Sequence, residues 1–237
     1  MGGGAAEAAK AVAARTAVDA LVVPGMRLAL GTGSTAAWAL RRLAERVPGG
    51  AVDCVASSVA TERLAASLGL SVRPLAADDR FDLMLDGADE VAPSLDLTKG
   101  GGGALFREKL LATLSRRVAI VVDAEKLVPA LGSRHPIPVE VVPFARPSLA
   151  QRFARAGWGV GRRTAPDGSP FVTDNGNEIL DLRPAAPLAD PAATAAALRA
   201  EVGVVETGLF VGLADQVFVG HADGNVETRV RSPPRPG

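Results

Sequence analysis

The sequence predicts an α/β protein: a parallel sheet covered by helices on both faces, in three layers, with an inserted α+β lobe. Short apolar runs alternate with stretches of helical composition, the pattern of a parallel sheet with helices on both sides. The runs are continuously apolar, as in strands buried on both faces. The pattern changes near Pro136, and 237 residues are enough for one large domain with a smaller lobe.

The first half of the chain predicts the parallel sheet. Residues 5–22 are rich in alanine and are followed by Pro24-Gly25, which predicts a leading helix and a turn. Strands are predicted at the short apolar runs 26–30, 54–56, 81–85 and 118–122. Helices are predicted between and after them, at 35–47, 59–68 and 104–115.

The second half predicts the lobe. A strand is expected at 137–144, a helix at 148–156, and a hairpin that pairs 160–163 with 171–182. A second helix is expected at 191–202 and a last strand at 203–210. This β-α-β-β-α-β order is typical of a ferredoxin-like lobe. Strands at 216–221 and 226–230 return to the main sheet or cap it, and the last residues, SPPRPG, are predicted to be a frayed tail. The predicted domains are a Rossmann-like α/β domain (1–133 and 207–237) and the lobe (134–206).

The composition excludes several kinds of partner and site. With 26 basic and 26 acidic residues the net charge is zero, so we expect no nucleic-acid or membrane partner. The single cysteine, Cys54, cannot form an internal disulfide, which fits a cytoplasmic protein. His135 and His221 lack ligand partners at metal spacing, so no metal site is expected. No signal peptide or membrane span is recognisable.

The loop Gly31–Thr35 follows the first strand and opens a helix, so its backbone N–H groups and the hydroxyls of its side chains can surround an anion. We therefore expect Thr32, Gly33, Ser34 and Thr35 to bind a phosphate. Two alternatives stay open, a merely tight turn and a G-x-G-x-x-A dinucleotide site with Asp53 on the ribose. The position of Asp53 argues against the dinucleotide, because it precedes its strand and would lie at the opposite edge of the sheet.

Three carboxylates follow the strand at 81–85, in the sequence DGADE. Acids at the carboxyl end of a parallel strand face the binding crevice, so we expect carboxylates that accept sugar hydroxyls and one that relays a proton during ring opening. The candidate residues are Asp86, Gly87, Ala88 and Asp89. The alternative is structural, with Asp89 capping a turn and Glu90 solvated.

Lys99 and four glycines lead into the next helix. Glycines permit close approach of backbone to ligand, and no Gly-Lys-Ser/Thr follows, which disfavours a nucleotide phosphate loop. Glu108 falls on an otherwise apolar helical face, where desolvation would raise its pKa and make it a better base. A salt bridge or an exposed acid is the alternative for Glu108. Further candidates for the site are Lys99, Gly100, Gly101, Gly102 and, after the strand at 118–122, Lys126; Lys10 is left out.

Eight stretches together resemble the type A ribose-5-phosphate isomerase family: GTGSTAAWAL, SSVATERLAASLGL, LDGADEV, LTKGGGGALFREKLLA, VVDAEKLV, PVEVVPFA, TDNGNEILDL and GVVETGLF. The resemblance implies a cytoplasmic isomerase that interconverts D-ribose 5-phosphate and D-ribulose 5-phosphate through a cis-enediolate, in the non-oxidative branch of the pentose phosphate pathway. It implies no metal and no cofactor, and a homo-oligomer, either a dimer or a tetramer. Glu108 matches the catalytic base, and Thr32 to Thr35, Asp86 to Asp89, Lys99 to Gly102 and Lys126 match substrate-binding segments.

The departures from the family pattern are Leu28-Ala29-Leu30 before the glycine loop, Trp38, and the longer tail. Two other classes share this architecture. A sugar-phosphate sensor would need a DNA-reading module, which is not recognisable in the sequence. An amino-sugar phosphate deaminase or a coenzyme A transferase would use other site motifs than DGADE and KGGGGALFREK.

Overall fold

In the computed structural model, which describes residues 3–47 and 51–232, the elements follow closely the predicted order. The helices are α1 (Gly3–Leu21), α2 (Ser34–Arg46), α3 (Val59–Ser67), α4 (Leu105–Thr113), α5 (Arg146–Arg155) and α6 (Pro191–Arg199). The strands are β1 (Arg27–Leu30), β2 (Asp53–Ala56), β3 (Leu83–Asp86), β4 (Glu90–Val91), β5 (Leu97–Thr98), β6 (Val118–Asp123), β7 (Ile137–Val141), β8 (Gly159–Arg162), β9 (Glu178–Arg183), β10 (Val204–Thr207), β11 (Leu209–Phe210), β12 (Gln216–Gly220) and β13 (Val226–Val230).

These elements belong to two compact units. The first consists of Met1–Ala88, Arg107–Lys126 and Gly212–Gly237, and the second of Asp89–Phe106 and Leu127–Val211. The domain boundaries predicted from the sequence stay a prediction. Of the predicted frayed tail, residues 233–237 lie outside the described residues.

The sheet of the first unit has the strand order β13-β12-β6-β3-β1-β2. All neighbours are parallel except β12 and β13, which form an antiparallel hairpin at one edge. Every residue of β3 and β6 is buried, as continuously apolar strands require when both faces of a sheet are covered. The predicted parallel sheet is therefore confirmed, and the two late strands return to it.

Helices α1 and α2 pack on the sheet of the first unit. Ala13, Ala14 and Ala17 of α1 are fully buried, and the partly buried Trp38 of α2 packs against the same core. Small side chains let a helix approach the strands closely, which explains the alanine-rich composition of α1. Cys54 of β2 lies in this core, and burial, followed by the charge of Asp53, raises the pKa of its thiol to about 12.

The second unit contains a four-stranded antiparallel sheet in the order β10-β7-β9-β8. With α5 and α6 it has the β-α-β-β-α-β order predicted for a ferredoxin-like lobe, which is confirmed. Its core joins strand side chains such as Val139 and Leu180 to Phe153 of α5 and Leu198 of α6. Trp158 is partly buried against this core.

One strand of the lobe is shorter than predicted, because the chain turns at 174–176 and β9 begins at Glu178. The polar side chains of this segment converge on Glu140, whose side chain is fully buried. The Glu140 Oε1 accepts hydrogen bonds from Thr173 Oγ1 at 2.9 Å, Asn175 Nδ2 at 3.1 Å and Asn177 Nδ2 at 2.9 Å. The hydrogen bonds that these side chains donate to the buried carboxylate stabilise this segment more than continued strand pairing would.

A three-stranded sheet, β11-β5-β4, was not predicted. Each of its strands has two residues, too few for an alternation or an apolar run to be recognised. Glu90 of β4 is fully buried and accepts N–H bonds from Gly132 at 2.7 Å, Arg134 at 2.6 Å and His135 at 2.9 Å. The interpretation of Glu90 as a solvated acid is therefore wrong; it organises the loop that precedes β7.

Candidate active site

Two strand ends of the first unit bring Asp86 against the glycine loop. Asp86 ends β3, and Gly31 follows β1, its parallel neighbour. The Asp86 Oδ1 accepts hydrogen bonds from the N–H groups of Thr32 at 3.2 Å and Gly87 at 2.7 Å. A Cβ atom at Gly31 would overlap the Asp86 carboxylate, so this approach requires glycine. Asp86 is thereby fixed at the carboxyl edge of the sheet, where parallel sheets bind ligands.

Side-chain hydroxyls hold the loop from the neighbouring strand end. Thr32 Oγ1 lies 2.8 Å from the hydroxyl oxygens of both Ser57 and Ser58, which follow β2. Thr61 Oγ1 donates to the Gly31 carbonyl at 2.9 Å. Ser57, Ser58 and Thr61 were missed as site residues, although their position directly after β2 could have indicated them.

The N-terminus of α2 is the part of the loop whose geometry suits an anion. Gly33 is the N-cap and provides no side-chain cap, and Ser34 is the first helical residue. Lys10 Nζ of α1 donates to Ser34 Oγ at 3.3 Å. An ammonium group, a hydroxyl and helix N–H groups thus meet at one point, as a phosphate requires. From the sequence, Lys10 on the first helix was a weaker candidate for a phosphate partner than Lys126, so the predicted site left it out.

Asp53 lies at the opposite edge of the same sheet, as predicted. It is the first residue of β2 and is in register with Arg27, the first residue of β1. The Arg73 guanidinium binds both of its carboxylate oxygens at 2.8 Å, and this pairing lowers the pKa of Asp53. Asp53 therefore serves an ion pair at the amino ends of the strands, which does not fit a ribose-binding acid.

Glu108 and Lys126 are the remaining candidates of the first unit. Glu108 lies in the first turn of α4 and is 3% exposed, and Leu111 and Ala112 of the same helix are buried too. The predicted apolar helix face is confirmed, and the alternative of an exposed acid is wrong. Lys126 ends a 3₁₀ turn that follows β6, where the Asp123 Oδ1 accepts the N–H of Glu125 at 2.9 Å. This turn lies at the carboxyl end of β6.

The other candidates belong to the second unit. The Asp89 Oδ2 accepts the N–H of Gly101 at 2.8 Å, so the acid and the glycine loop are joined directly. Lys99 is 3% exposed, with its Nζ 5.4 Å from the centre of the Phe210 ring. Gly100 has a φ of 103°, a conformation that favours glycine over any other residue. Gly102 is exposed next to them.

Residues 3–47 and 51–232 contain neither a metal-binding cluster nor a membrane-spanning helix. That part of the chain contains no cluster of three or more His, Cys, Asp or Glu side chains suited to hold a metal ion. Within it, no helix has the length and apolar character needed to cross a membrane.

Comparison with known proteins decides the family. Residues 53–224 match the family described as ribose 5-phosphate isomerase A, or phosphoriboisomerase A. The chain belongs to this family. It is 51% identical over 221 residues to ribose-5-phosphate isomerase A of Chloroflexus aurantiacus, covering 92% of both chains. It is 50% identical over 217 residues to that of Gloeobacter violaceus, covering 91% of this chain and 93% of the relative.

Solved structures of ribose-5-phosphate isomerases have the same fold. A D-ribose-5-phosphate isomerase in complex with phospho-erythronic acid superposes with a TM-score of 0.90 at 33% identity, over 95% of this chain and 99% of that one. The ribose 5-phosphate isomerase of Plasmodium falciparum gives a TM-score of 0.91 at 32% identity, with the same coverage. The predicted fold class is thereby confirmed.

Proposed function

We infer that this chain is an aldose–ketose isomerase that interconverts D-ribose 5-phosphate and D-ribulose 5-phosphate. The observation that carries the inference is the buried carboxylate of Glu108. By resemblance, Glu108 matches the catalytic base of the ribose 5-phosphate isomerase A family. A carboxylate shielded from bulk water can exchange a proton with a substrate carbon without losing it to solvent. Membership of the family at 51% identity supports the same conclusion.

The substrate phosphate binds at the loop Thr32–Thr35. The N–H groups at the start of α2, the Ser34 hydroxyl and the Lys10 ammonium supply the donors and the charge. The hydrogen bonds between the Thr32 hydroxyl and those of Ser57 and Ser58 keep this loop in one conformation before the substrate arrives. Lys126 is a further substrate-binding cation, as the family resemblance implies.

Opening of the furanose ring precedes isomerisation. Asp86 assists it, since its carboxylate is oriented by two N–H groups and can relay the proton between the anomeric hydroxyl and the ring oxygen. Gly87 and Ala88 belong to the same substrate-binding segment. Asp89 orients substrate hydroxyls, a role that its hydrogen bond with Gly101 is compatible with.

Glu108 performs the proton transfer itself. Its carboxylate removes the proton from C2 of the open-chain aldose and returns it to C1, which yields the ketose through a cis-enediolate. Lys99 and the N–H groups of Gly100 and Gly102 are the donors to the oxygens on which negative charge develops, each worth about 3 kcal/mol in comparable sites. The N–H of Gly101 binds the Asp89 carboxylate instead. The complex of a relative with phospho-erythronic acid supports this path, because a phosphorylated four-carbon carboxylate resembles the enediolate in charge and planarity.

Replacing Glu108 with glutamine tests the proposal. We expect kcat for ribose 5-phosphate to fall by several orders of magnitude, with substrate affinity within about tenfold of the parent. Conversion is measured in EDTA and without a nicotinamide. Glu62→Gln is the matched control. Glu62 holds the same position in α3 as Glu108 in α4, and both helices are nine residues long, but Glu62 is exposed. Near-normal turnover by Glu108→Gln would remove Glu108 from the mechanism.

We further propose that the enzyme acts in the cytoplasm as a homo-oligomer, a dimer or a tetramer. The family resemblance supports the oligomer, and the single cysteine, which cannot form an internal disulfide, supports the cytoplasm. Light scattering coupled to size-exclusion chromatography tests the second, and a monomeric mass at micromolar concentration would contradict it.

A further inference from the structure

The glycine loop Lys99–Gly103 needs an anchor if its N–H groups are to serve the reaction. Consecutive glycines are the most flexible stretch that a chain can contain, and fixing one residue costs about 1–2 kcal/mol. Donors that must reorganise during the reaction stabilise a transition state poorly. The order of this loop is therefore part of the chemistry.

Arg163 supplies the anchor within the second unit. Its Nη1 donates to the carbonyl oxygens of Gly100 at 2.6 Å and Gly101 at 3.2 Å. The rest of the guanidinium forks onto Asp181, with Nε 3.0 Å from Oδ2 and Nη2 bonded to Oδ1. The Arg163 side chain is 14% exposed and its bond to Gly100 is partly buried, so that bond faces little competition from water.

Arg163 is itself held in place. Its backbone N–H donates to the Ile179 carbonyl at 3.0 Å, and its carbonyl accepts the N–H of Phe171 at 3.1 Å. The Phe171 ring lies 6.0 Å from the guanidinium and fills the space that a side chain at Gly103 would need. Arg163 and its neighbour Phe171 thus meet the loop at Gly100, Gly101 and Gly103.

The direction of the donors follows from peptide geometry. In a trans peptide the carbonyl of one residue points opposite to the N–H of the next. Because Arg163 holds the carbonyls of Gly100 and Gly101, the N–H groups of Gly101 and Gly102 point away from it. The N–H of Gly101 indeed meets the Asp89 Oδ2 on that side, at 2.8 Å, and the N–H of Gly102 is aimed the same way.

We propose that Arg163 is a positioning residue for the isomerisation, which orients the loop N–H donors and, through Gly101, the Asp89 carboxylate. The proposal rests on the proposed function. It requires Arg163 to act on the transition state through the loop rather than on substrate affinity. Its removal therefore changes kcat more than KM.

Arg163→Ala is the test, with Arg162→Ala as the matched control. Arg162 is the adjacent residue and forks onto Glu178 with bonds of 2.8 and 3.0 Å, but its partner is not the glycine loop. We expect Arg163→Ala to lower kcat by about tenfold to a hundredfold, with KM within about threefold, because donors are loosened rather than removed. Millimolar guanidinium chloride should raise kcat of Arg163→Ala and leave that of Arg162→Ala unchanged.

A second readout does not depend on the reaction. Amide hydrogen exchange in the segment 99–103 should be faster in Arg163→Ala than in the parent and Arg162→Ala. Absence of turnover by the folded parent would overturn the proposed function, and the exchange data would still report whether Arg163 orders the loop. An active parent with normal kcat in Arg163→Ala, or with unchanged exchange in 99–103, would overturn only the role given to Arg163.

Discussion

Replacing Gly31 with alanine places a methyl group inside the space of the Asp86 side chain. The new Cβ would overlap the Cγ, Oδ1 and Cβ atoms of Asp86. These atoms lie near the backbone of β3, so the side chain cannot yield by bending only its far end. The carboxylate must therefore rotate away from the loop.

The size of the effect follows from the bonds that this rotation breaks. Asp86 Oδ1 would lose the N–H donors of Thr32 and Gly87. Hydrogen bonds to a charged group are worth about 1.5–3 kcal/mol each. Losing both therefore removes about 3 kcal/mol of the free energy that holds the Asp86 carboxylate in its orientation. Since 1.36 kcal/mol corresponds to a factor of ten, kcat/KM for ribose 5-phosphate should fall about a hundredfold.

The assay is steady-state conversion of ribose 5-phosphate, with circular dichroism to confirm folding. Gly4→Ala is the control, because a Cβ at Gly4 meets nothing within 4 Å. A kcat/KM for Gly31→Ala within about threefold of the parent would refute the argument, since it would mean that the site tolerates a displaced Asp86.

Two further predictions concern stability. Glu140→Ala should lower the free energy of unfolding by about 3 kcal/mol in urea titrations, because it leaves the buried donor Thr173 unpaired. Thr173→Val should lower the same free energy by about 1 kcal/mol, and equal urea midpoints for Glu140→Ala and the parent would contradict the prediction. Arg73, followed by the N–H of Ala76, holds the pKa of Asp79 well below its usual range. Asp79 therefore stabilises the fold above about pH 4, and this contribution is lost as the pH falls further. Asp79→Asn should flatten the acid limb of a plot of urea midpoint against pH, and parallel curves for variant and parent would count against this prediction.

Much of the fold could be predicted because its signals are local. The buried strands β1, β3 and β6 are continuous apolar runs, and the order of elements in the lobe indicated its topology. Strands β4 and β5 could not be predicted, because two residues carry no periodicity. The turns before β9 depend on Glu140, a residue more than thirty positions earlier in the chain.

The candidate site likewise contains residues that a local pattern indicates and residues that only the tertiary structure reveals. Asp86 and the glycine loops stand at strand ends, so a local pattern indicates them. Lys10 is 24 positions from Ser34, and Arg163 is 63 positions from Gly100. A lysine on a helix and an arginine beside a hairpin are common on protein surfaces, so the sequence alone does not single out either residue. Only the tertiary structure brings each of them to the loop that it contacts.

The chain has two tryptophans and no tyrosine. Trp38 belongs to the first unit and Trp158 to the second, and each is partly buried against the core of its own unit. Intrinsic fluorescence excited at long wavelength therefore comes from one indole in each unit. With Trp38→Phe and Trp158→Phe, the emission of a single-tryptophan protein follows the melting of one unit at a time, so the cooperativity between the two units becomes directly visible without any attached dye.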